Sequence, residues 1–178
     1  MAIEELQLVE PIATLQAEYE AYCREFEYPN DIPGNCSMAQ GSDFPDGVRR
    51  CLAHGRGREL PNGWVAAHTF WLLRNGRELL GMINVRHGLT PFLQREGGHI
   101  GYSVRASERG NGYGTRMLKM TLERIRGLRL GLRRVLITCD ERNVASARVI
   151  EKCGGVLEND VRSSLPGRKV TRRFWIDL

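Results

Sequence analysis

The spacing of apolar residues changes along the chain, and two stretches predict strands directly. Residues 68–87 read HTFWLLRNGRELLGMINVRH, in which two apolar runs flank the pair Asn75–Gly76. An Asn-Gly pair accepts positive φ at both central positions of a tight turn, so this stretch predicts a β-hairpin. Residues 133–139, RRVLITC, form a nearly continuous apolar run that predicts a strand in the middle of a sheet.

Two N-terminal stretches predict helices. After Pro11, apolar residues recur at spacings of three and four, which is typical of an amphipathic helix packed on a core. These residues are Ile12, Leu15, Tyr19, Tyr22 and Phe26. A second, shorter helix is predicted in residues 42–54, with Ser42 or Asp43 as its cap and Pro45 in its first turn.

Two further helices are predicted in the C-terminal half. The first runs from about Tyr113 to Arg126 and buries the face formed by Leu118, Thr121, Leu122 and Ile125. The second, NVASARVIEKC, is stopped by the pair Gly154–Gly155.

Short strands at residues 6–11, 99–104, 155–160 and 169–178 complete the order β-α-α-β-β-β-α-β-α-β-β. The chain has no internal repeat, linker or low-complexity segment. We therefore expect residues 1–178 to form one mixed α/β (α+β) domain.

The composition narrows the function classes. With 42% hydrophobic and 26% charged residues, no run of 18 apolar residues and an acidic N-terminus, the chain predicts a soluble protein without a membrane span or signal peptide. The five cysteines are scattered and form no C-x-x-C pair, so we expect a reducing cytoplasm and no metal site.

The net charge of +5 suits an anionic cofactor or substrate, although an evenly basic surface explains it equally. No basic run is interleaved with aromatic residues, which argues against nucleic acid as a partner.

Residues 106–118, ASERGNGYGTRML, place three glycines where a helix begins. Glycine in a helix costs about 1 kcal/mol relative to alanine, so these glycines need a reason. A strand, a glycine loop and a helix N-terminus together favour phosphate binding, because free backbone N–H groups converge there; a tight turn is the alternative. The spacing fits neither a P-loop nor a dinucleotide fingerprint.

The pattern Arg109-x-x-Gly112-x-Gly114 resembles the R/Q-x-x-G-x-G/A signature of the GNAT superfamily of acyl-CoA N-acyltransferases. Some thirty residues on, NVASARVIEKCGG resembles the family's N-x-x-S/A-x-x-x-x-E-K-x-G-F segment. The resemblance implies the GNAT fold, a mixed and mostly antiparallel sheet of six to seven strands flanked by about four helices.

The resemblance also implies acetyl-CoA as co-substrate. Its pyrophosphate is expected on the backbone amides of Gly110, Asn111, Gly112, Tyr113, Gly114 and Thr115. Arg109 is expected to help the charge balance or to brace the loop. The pantetheine arm should pair with the strand edge at Ser103 and Val104, where the Val104 N–H would stabilise the developing oxyanion.

In this family the amine attacks the thioester directly, so no enzyme nucleophile is implied and Cys139 and Cys153 are expected to be buried apolar residues. His99 is the first choice for the general base, because a histidine titrates near neutral pH; a packed strand histidine is the alternative. Glu96 is the nearest alternative acid, and His87 could also face the cleft. His54 and His68 are expected to be structural.

For the leaving thiolate, many family members place a tyrosine before the Glu-Lys pair, but this chain has Ile150 there. Ser146 is the expected proton donor, although a water could serve, because a thiol with a pKa near 8.5 needs little assistance. Asn143 is expected to contact the pantetheine, to cap the helix, or both. This N-x-x-S form is similar to the branch that contains ribosomal-protein N-terminal acetyltransferases.

The acceptor is expected among three segments without a specific signature: residues 27–47, residues 86–98 and residues 160–169. The leading function is an N-acetyltransferase for a small amine or amino-acid derivative. The alternatives are a protein or peptide N-terminal acetyltransferase and a non-catalytic acyl-CoA-binding regulatory module. Homodimers are common in this family, and a homodimer is compatible with the sequence.

Overall fold

The computed structural model describes residues 4–26 and 43–178, which build one seven-stranded sheet with strand order β1-β2-β3-β4-β5-β7-β6. The strands are β1 (Leu6–Val9), β2 (Ala67–Arg74), β3 (Glu78–Arg86), β4 (Ile100–Val104), β5 (Arg134–Asp140), β6 (Val156–Arg162) and β7 (Val170–Asp177). Every pairing is antiparallel except that of β4 with β5. This confirms the predicted mixed, mostly antiparallel sheet. That residues 1–178 form a single domain stays a prediction.

Within the described ranges the α-helices are α1 (Gln16–Arg24), α2 (Phe44–Gly55), α3 (Tyr113–Gly127) and α4 (Val144–Lys152). The predicted order of helices and strands is therefore confirmed. Short 3₁₀ turns precede α1 and follow β4, and a π turn over Leu93–Gly97 lies in a segment predicted as a loop. None of the described helices is both long and apolar enough to cross a bilayer.

The turn of the β2–β3 hairpin has positive φ at both central residues, 52° at Asn75 and 71° at Gly76. This is the geometry that the Asn-Gly pair predicts. At α2, Pro45 occupies the first turn as expected, and Asp43 is the N-cap residue, although its side chain makes no capping hydrogen bond. Ser42, the other predicted cap, lies outside the described residues.

The sheet separates two hydrophobic clusters because successive strand residues point to opposite faces. On β2, Phe70 packs with α3 and α4, whereas Trp71 packs with α1 and α2. The predicted buried face of α3 is confirmed: Leu118, Thr121, Leu122 and Ile125 are all buried. Each face of the sheet therefore has its own helix layer.

Arg105 ties the end of β4 to α1. Its guanidinium donates to Glu18 at 2.6 Å and to Glu25 at 2.7 Å, and its side chain is only 11% exposed. Glu25 also accepts from the N–H and the hydroxyl of Ser107. Burial alone would raise the pKa of Glu25, but the hydrogen bonds from Ser107 and Arg105 outweigh it and lower the pKa. The far end of β4 is thus fixed to the α1 side of the sheet.

We expect Arg105→Met to lower the free energy of unfolding by about 2 kcal/mol, because two half-buried carboxylates lose their cation. This loss lies between those expected when an exposed and when a buried ion pair is broken. Urea unfolding followed by circular dichroism measures the change. The matched control is Arg116→Met, since Arg116 pairs with Glu4 but is 55% exposed, and it should change stability by less than about 0.5 kcal/mol. Equal losses in the two variants would contradict a structural role for Arg105.

Candidate active site

Strands β4 and β5 separate almost as soon as they meet. Their parallel pairing is limited to Ile100 opposite Ile137, and among the described strands residues 101–104 pair only with β3. Parallel strands normally share a continuous run of slanted hydrogen bonds. The interrupted run leaves a gap in the sheet between the C-terminal half of β4 and β5.

The backbone of β4 faces this gap at every second residue. Arg86 N–H donates to His99 O and Arg105 N–H donates to Leu80 O, each at 2.8 Å, which fixes the phase of the antiparallel β3–β4 ladder. The backbone groups of Gly101 and Ser103 therefore point to β3, and those of Tyr102 and Val104 point to the gap.

Of the two strand residues predicted to contact the pantetheine, only Val104 presents its backbone to the gap. Ser103 is turned away: its hydroxyl lies 2.7 Å from the hydroxyl of Tyr22, on the α1 side of the sheet. The strand period explains the difference, because adjacent residues face opposite sides. The role of the Val104 N–H as an oxyanion donor stays a prediction.

The glycine loop lies at the end of β4. Gly110 and Gly112 have φ of 85° and 81°, a region that glycine adopts without strain, and Gly112 is the N-cap residue of α3. No side chain in the described structure caps α3, so the first backbone N–H groups of the helix have no side-chain partner. A Cβ on Gly114 would lie 3.5 Å from the Val104 side chain, which brings the start of α3 against β4.

The side chains of the loop have structural partners. Tyr113 is buried, and its hydroxyl donates to Glu4 and accepts from Arg74, so only its backbone is available to a ligand. Asn111 donates to Glu108 at 3.3 Å. Arg109 donates to the Val104 carbonyl at 3.3 Å and lies over the ring of Phe26. These contacts are consistent with the bracing role expected for Arg109.

Ser146 and Tyr102 join α4 to β4 across the gap. The Tyr102 hydroxyl lies 3.0 Å from Ser146 Oγ and also donates to the Ser146 carbonyl at 3.3 Å. Asn143 accepts from the Ser146 N–H at 2.9 Å, so it is the N-cap residue of α4. Burial raises the pKa of Tyr102, which keeps its hydroxyl protonated at neutral pH. The predicted donor Ser146 is thus part of a hydroxyl pair.

Ile150 and Cys139 lie in the core near this pair and offer no acid. Ile150 is completely buried, and Cys139 is buried in the cluster between the sheet and α4. Burial raises the pKa of the Cys139 thiol to about 11, so a thiolate is disfavoured. Cys153, half-buried, has its pKa raised for the same reason. Cys139 is buried, as the sequence predicts, whereas Cys153 is only partly buried and its Sγ lies 3.7 Å from the Thr115 carbonyl.

His99 closes the narrow end of the gap. Its backbone N–H donates to Leu136 O at 2.6 Å, and its Nδ1 accepts from Leu136 N–H at 2.9 Å. Gly98 makes this approach feasible, because it has φ of 63° and a Cβ there would lie 2.6 Å from Leu136 O. Burial, together with the charge of Arg86, lowers the pKa of His99 to about 4. This arrangement favours the structural alternative over the general base that the sequence suggested.

Glu96 is also committed to structure. Its side chain is fully buried and accepts from the hydroxyls of Thr171, Ser163 and Ser164 and from the Ser164 N–H. Burial alone would raise the pKa of Glu96, but these hydrogen bonds lower it. Glu96 therefore anchors the π turn to the β6–β7 loop and is not positioned as an alternative acid.

The other three histidines have local partners. His68 Nδ1 and His87 Nε2 are 2.7 Å apart, and burial lowers the pKa of both rings. The His68 ring stacks on Phe70, on the α3 side of the sheet. His54 Nε2 lies 3.0 Å from Glu59 O. The structural role predicted for His68 agrees with these contacts, and His87 is paired with it.

A cavity of about 370 Å³ lies on the other side of the sheet, between α2, the start of β2, the end of β3 and residues 90–93. We call it the α2 cavity. Its lining includes the polar residues Thr69, Asn84 and Arg86 and the apolar residues Trp64, Phe92 and Leu93. Of the three segments predicted to hold the acceptor, residues 86–98 contribute directly; most of residues 27–47 lies outside the described residues.

Sequence reasoning missed Tyr102, Asn84 and Arg86. Asn84 and Arg86 are two residues apart on a strand whose interior is otherwise apolar, so they share a face. A polar pair at that spacing is a signal that could have indicated a site on β3. Tyr102 had no such signal, because its meeting with Ser146 depends on the position of α4.

The chain matches a known protein family in its sequence and known structures in its fold. A family model described as an acetyltransferase (GNAT) domain matches residues 17–156. No curated protein sequence matches significantly. Among solved structures, RimL, a ribosomal L7/L12 α-N-protein acetyltransferase in complex with coenzyme A, superposes with a TM-score of 0.69 at 16% identity, over 97% of this chain and 94% of that chain.

Two further structures show the same fold. The ribosomal-protein-S5-alanine acetyltransferase from Vibrio fischeri has a TM-score of 0.64 at 18% identity, over 99% of this chain and 95% of that one. A chimera of the spermidine N-acetyltransferase SpeG from Vibrio cholerae and hSSAT has a TM-score of 0.65 at 15% identity, over 97% and 95%. The three proteins are named for different acceptors, so the likeness leaves the acceptor open.

The low pKa of His99 predicts a pH dependence of stability. The pKa of His99 is 6.5 in the unfolded chain, the ordinary value for histidine, and about 4 in the folded protein. Between these two pH values the unfolded chain binds a proton at this ring and the folded chain does not. The free energy of unfolding should therefore fall as pH decreases, by up to ~1.4 kcal/mol per pH unit from this group. His99→Asn, whose Oδ1 can still accept from Leu136 N–H, should have a flatter profile.

Urea unfolding of both proteins from pH 7 to pH 4 measures this difference, and subtracting the two profiles cancels the other titrating groups. Parallel profiles would show that His99 is not a buried neutral ring.

Proposed function

Because this chain belongs to the GNAT acetyltransferase family, we propose that it transfers the acetyl group of acetyl-CoA to a primary amine of a small molecule or amino-acid derivative. One observation carries the proposal: the uncapped, glycine-rich start of α3 lies beside the gap between β4 and β5. An anion-binding helix end and an open strand edge are the two features that a nucleotide with an extended arm requires.

The residues fit acetyl-CoA in two places. The amides of residues 110–115 would hold the pyrophosphate, and a Cβ on Gly110 or Gly112 would meet no heavy atom within 4 Å, which leaves space for an anion. The gap-facing backbone of Tyr102 and Val104 would pair with the pantetheine, with Asn143 at the α4 side. Acetyl-CoA supplies a thioester carbonyl that an amine can attack; the C–N bond forms, the C–S bond breaks and the thiolate takes a proton.

The hydroxyl pair of Ser146 and Tyr102 would supply that proton. Tyr102 keeps its proton at neutral pH because burial raises its pKa, and its hydroxyl contacts Ser146 Oγ. Ser146 Oγ could donate to the thiolate and be reprotonated through Tyr102 with the proton that the attacking nitrogen releases, so that neither hydroxyl is left ionised. This pair occupies the functional place that the usual tyrosine leaves at Ile150.

No protein base is assigned for the amine. His99 is bonded to Leu136, and Glu96 is saturated with donors. The described lining of the α2 cavity contains no aspartate or glutamate, and its histidine, His54, has Nε2 3.0 Å from Glu59 O. We infer that the acceptor amine loses its proton to water before it attacks.

A protein or peptide N-terminal acetyltransferase is the second candidate. Its support is the Asn143–Ser146 arrangement at the start of α4 and the activities for which two of the structural neighbours are named. A non-catalytic acyl-CoA-binding module is the third candidate, and the transfer assays below separate it from an enzyme.

Acetyl-CoA at ~100 times its dissociation constant should stabilise the wild-type protein by about 2.7 kcal/mol, a rise of several degrees in Tm. Gly112→Asp should lose this rise, because a carboxylate would stand at the anion site. The matched control is Gly131→Asp, a glycine with φ of 73° and open space around a Cβ, which imposes a similar backbone strain elsewhere. Loss of the rise in the control as well, or its survival in Gly112→Asp, would refute the pyrophosphate site.

Ser146→Ala and Tyr102→Phe should each lower kcat by about 10-fold while the acetyl-CoA-dependent rise in Tm persists. If the hydroxyls act as one relay, the double variant should be no slower than the slower single variant. Thiol release from acetyl-CoA, measured with the best acceptor in a panel of amines, gives these rates. Two independent, multiplicative effects would exclude a shared relay, and no effect would leave water as the donor.

A further inference from the structure

We propose that the acceptor carries a carboxylate near its amine and that Arg86 binds this carboxylate in the α2 cavity. The inference rests on the proposed function and deepens it, because it names the chemical class of the acceptor. It follows from the hydrogen bonds of Arg86, the charge of the cavity, one buried amide oxygen and the residues at the cavity mouth.

Arg86 has one half of its guanidinium engaged and the other half open. Its Nη1 donates to the carbonyls of Gly97 at 2.9 Å and Gly98 at 3.0 Å, which holds the group in place. In the part of the chain that the structure describes, Nε and Nη2 have no hydrogen-bond acceptor and no carboxylate lies within ion-pair distance of Arg86. The Nε–Nη2 edge is the planar fork that binds a carboxylate through two parallel hydrogen bonds.

The guanidinium lies next to the strand that borders the gap. Its Nη2 is 3.6 Å from where a Cβ on Gly101 would lie, so a side chain at position 101 would crowd it. Gly101 is the first residue of β4 after the last pairing with β5, at Ile100. A carboxylate on Arg86 would therefore be anchored close to the point where the strands part, within reach of a thioester in the gap.

The charge of the α2 cavity selects among amines. Arg86 is the arginine among its lining residues, and none of the described lining residues is acidic. Arg86 is largely buried, which disfavours its charged form and lowers its pKa. A polyamine would add unpaired positive charge beside it, whereas an amine with a carboxylate supplies the missing counter-charge.

Asn84 provides a second contact on the same face of β3. Its Nδ2 donates to Thr69 Oγ1 at 3.0 Å and to His68 O at 3.3 Å, which fixes the orientation of the amide. Its Oδ1 is buried and finds no donor among the described residues. Asn84 and Arg86 are two residues apart on β3, so they are about 7 Å apart. One small ligand can therefore place its carboxylate on Arg86 and donate a nearby N–H to Asn84 Oδ1.

The mouth of the α2 cavity is apolar. Trp64 and Phe92 line it and are each 53% exposed, an unusual amount for large aromatic residues. A cavity of about 370 Å³ holds a ligand the size of an amino acid or a small peptide. The combined features describe an amino-acid-like acceptor with a free carboxylate and an apolar side chain.

The test compares acceptors that differ only in the carboxylate: L-phenylalanine with 2-phenylethylamine, and L-leucine with 3-methylbutylamine. Thiol release from acetyl-CoA is measured for the wild type, Arg86→Met, Arg86→Lys and the control Arg77→Met, an exposed arginine in the hairpin turn. We expect a preference of about 30-fold in kcat/KM for the amino acids, carried by KM, in wild type and control. The preference should vanish in Arg86→Met and be intermediate in Arg86→Lys, which keeps a cation without the fork.

Equal use of both members of each pair, or a preference for spermidine or for O-phosphoethanolamine, overturns the carboxylate assignment and leaves the acetyltransferase function intact. A failure of the proposed function is distinguished by the absence of any acetyl-CoA-dependent rise in Tm.

Binding decides the case in which none of these amines is acetylated. N-acetyl-L-phenylalanine should raise the Tm of the wild type and of Arg77→Met, N-acetyl-2-phenylethylamine should not, and Arg86→Met or Arg86→Lys should reduce the effect. The Lys variant retains a donor for the Gly97 and Gly98 carbonyls, so it serves if the Met variant does not fold. Identical responses to the two compounds would overturn the proposal.

Discussion

The early separation of β4 from β5 is the constraint on which the site depends. Gly98 and His99 hold the two strands together at Leu136, with one hydrogen bond through the His99 backbone and one through its ring. Arg105 fixes the other end of β4 to α1. Between these points the described strands pair with β4 only on its β3 side. Apart from the Val104 carbonyl, which accepts from Arg109, its remaining backbone groups face an open gap.

This constraint explains why His99 is neutral and bonded. Its Nδ1 must accept from Leu136 N–H, and a protonated ring could not accept there. The ring that the sequence suggested as a general base is thus neutral, and its one lone pair already accepts a hydrogen bond, so it is not available to take a proton from an amine. We propose the hydroxyls of Tyr102 and Ser146, which meet across the gap, as the source of the proton instead.

The proposed cofactor site and the proposed acceptor site lie on opposite faces of the sheet. The uncapped start of α3 and the N-cap of α4 lie on one face, and the α2 cavity lies on the other. The charged groups differ in how their charge is compensated. Glu96 accepts hydrogen bonds from hydroxyl groups, and Glu18 and Glu25 pair with Arg105. Arg86 is compensated only in part, by the dipoles of the carbonyls to which it donates. That incomplete compensation is the reason that we propose Arg86 as the residue that binds the acceptor.

The sequence by itself determined the order of the elements, the tight β2–β3 turn, the buried face of α3 and the glycine loop, because each depends on residues that are neighbours along the chain. It also indicated the family. The tertiary structure alone decided which side chains meet: the pairing of Tyr102 with Ser146, the bonding of His99 and Glu96, and the open edge of Arg86. These depend on where β4 leaves β5 and on which strand face each residue occupies. Local periodicity carries no information about partners 37, 44 or 75 residues away, as for His99, Tyr102 and Glu96.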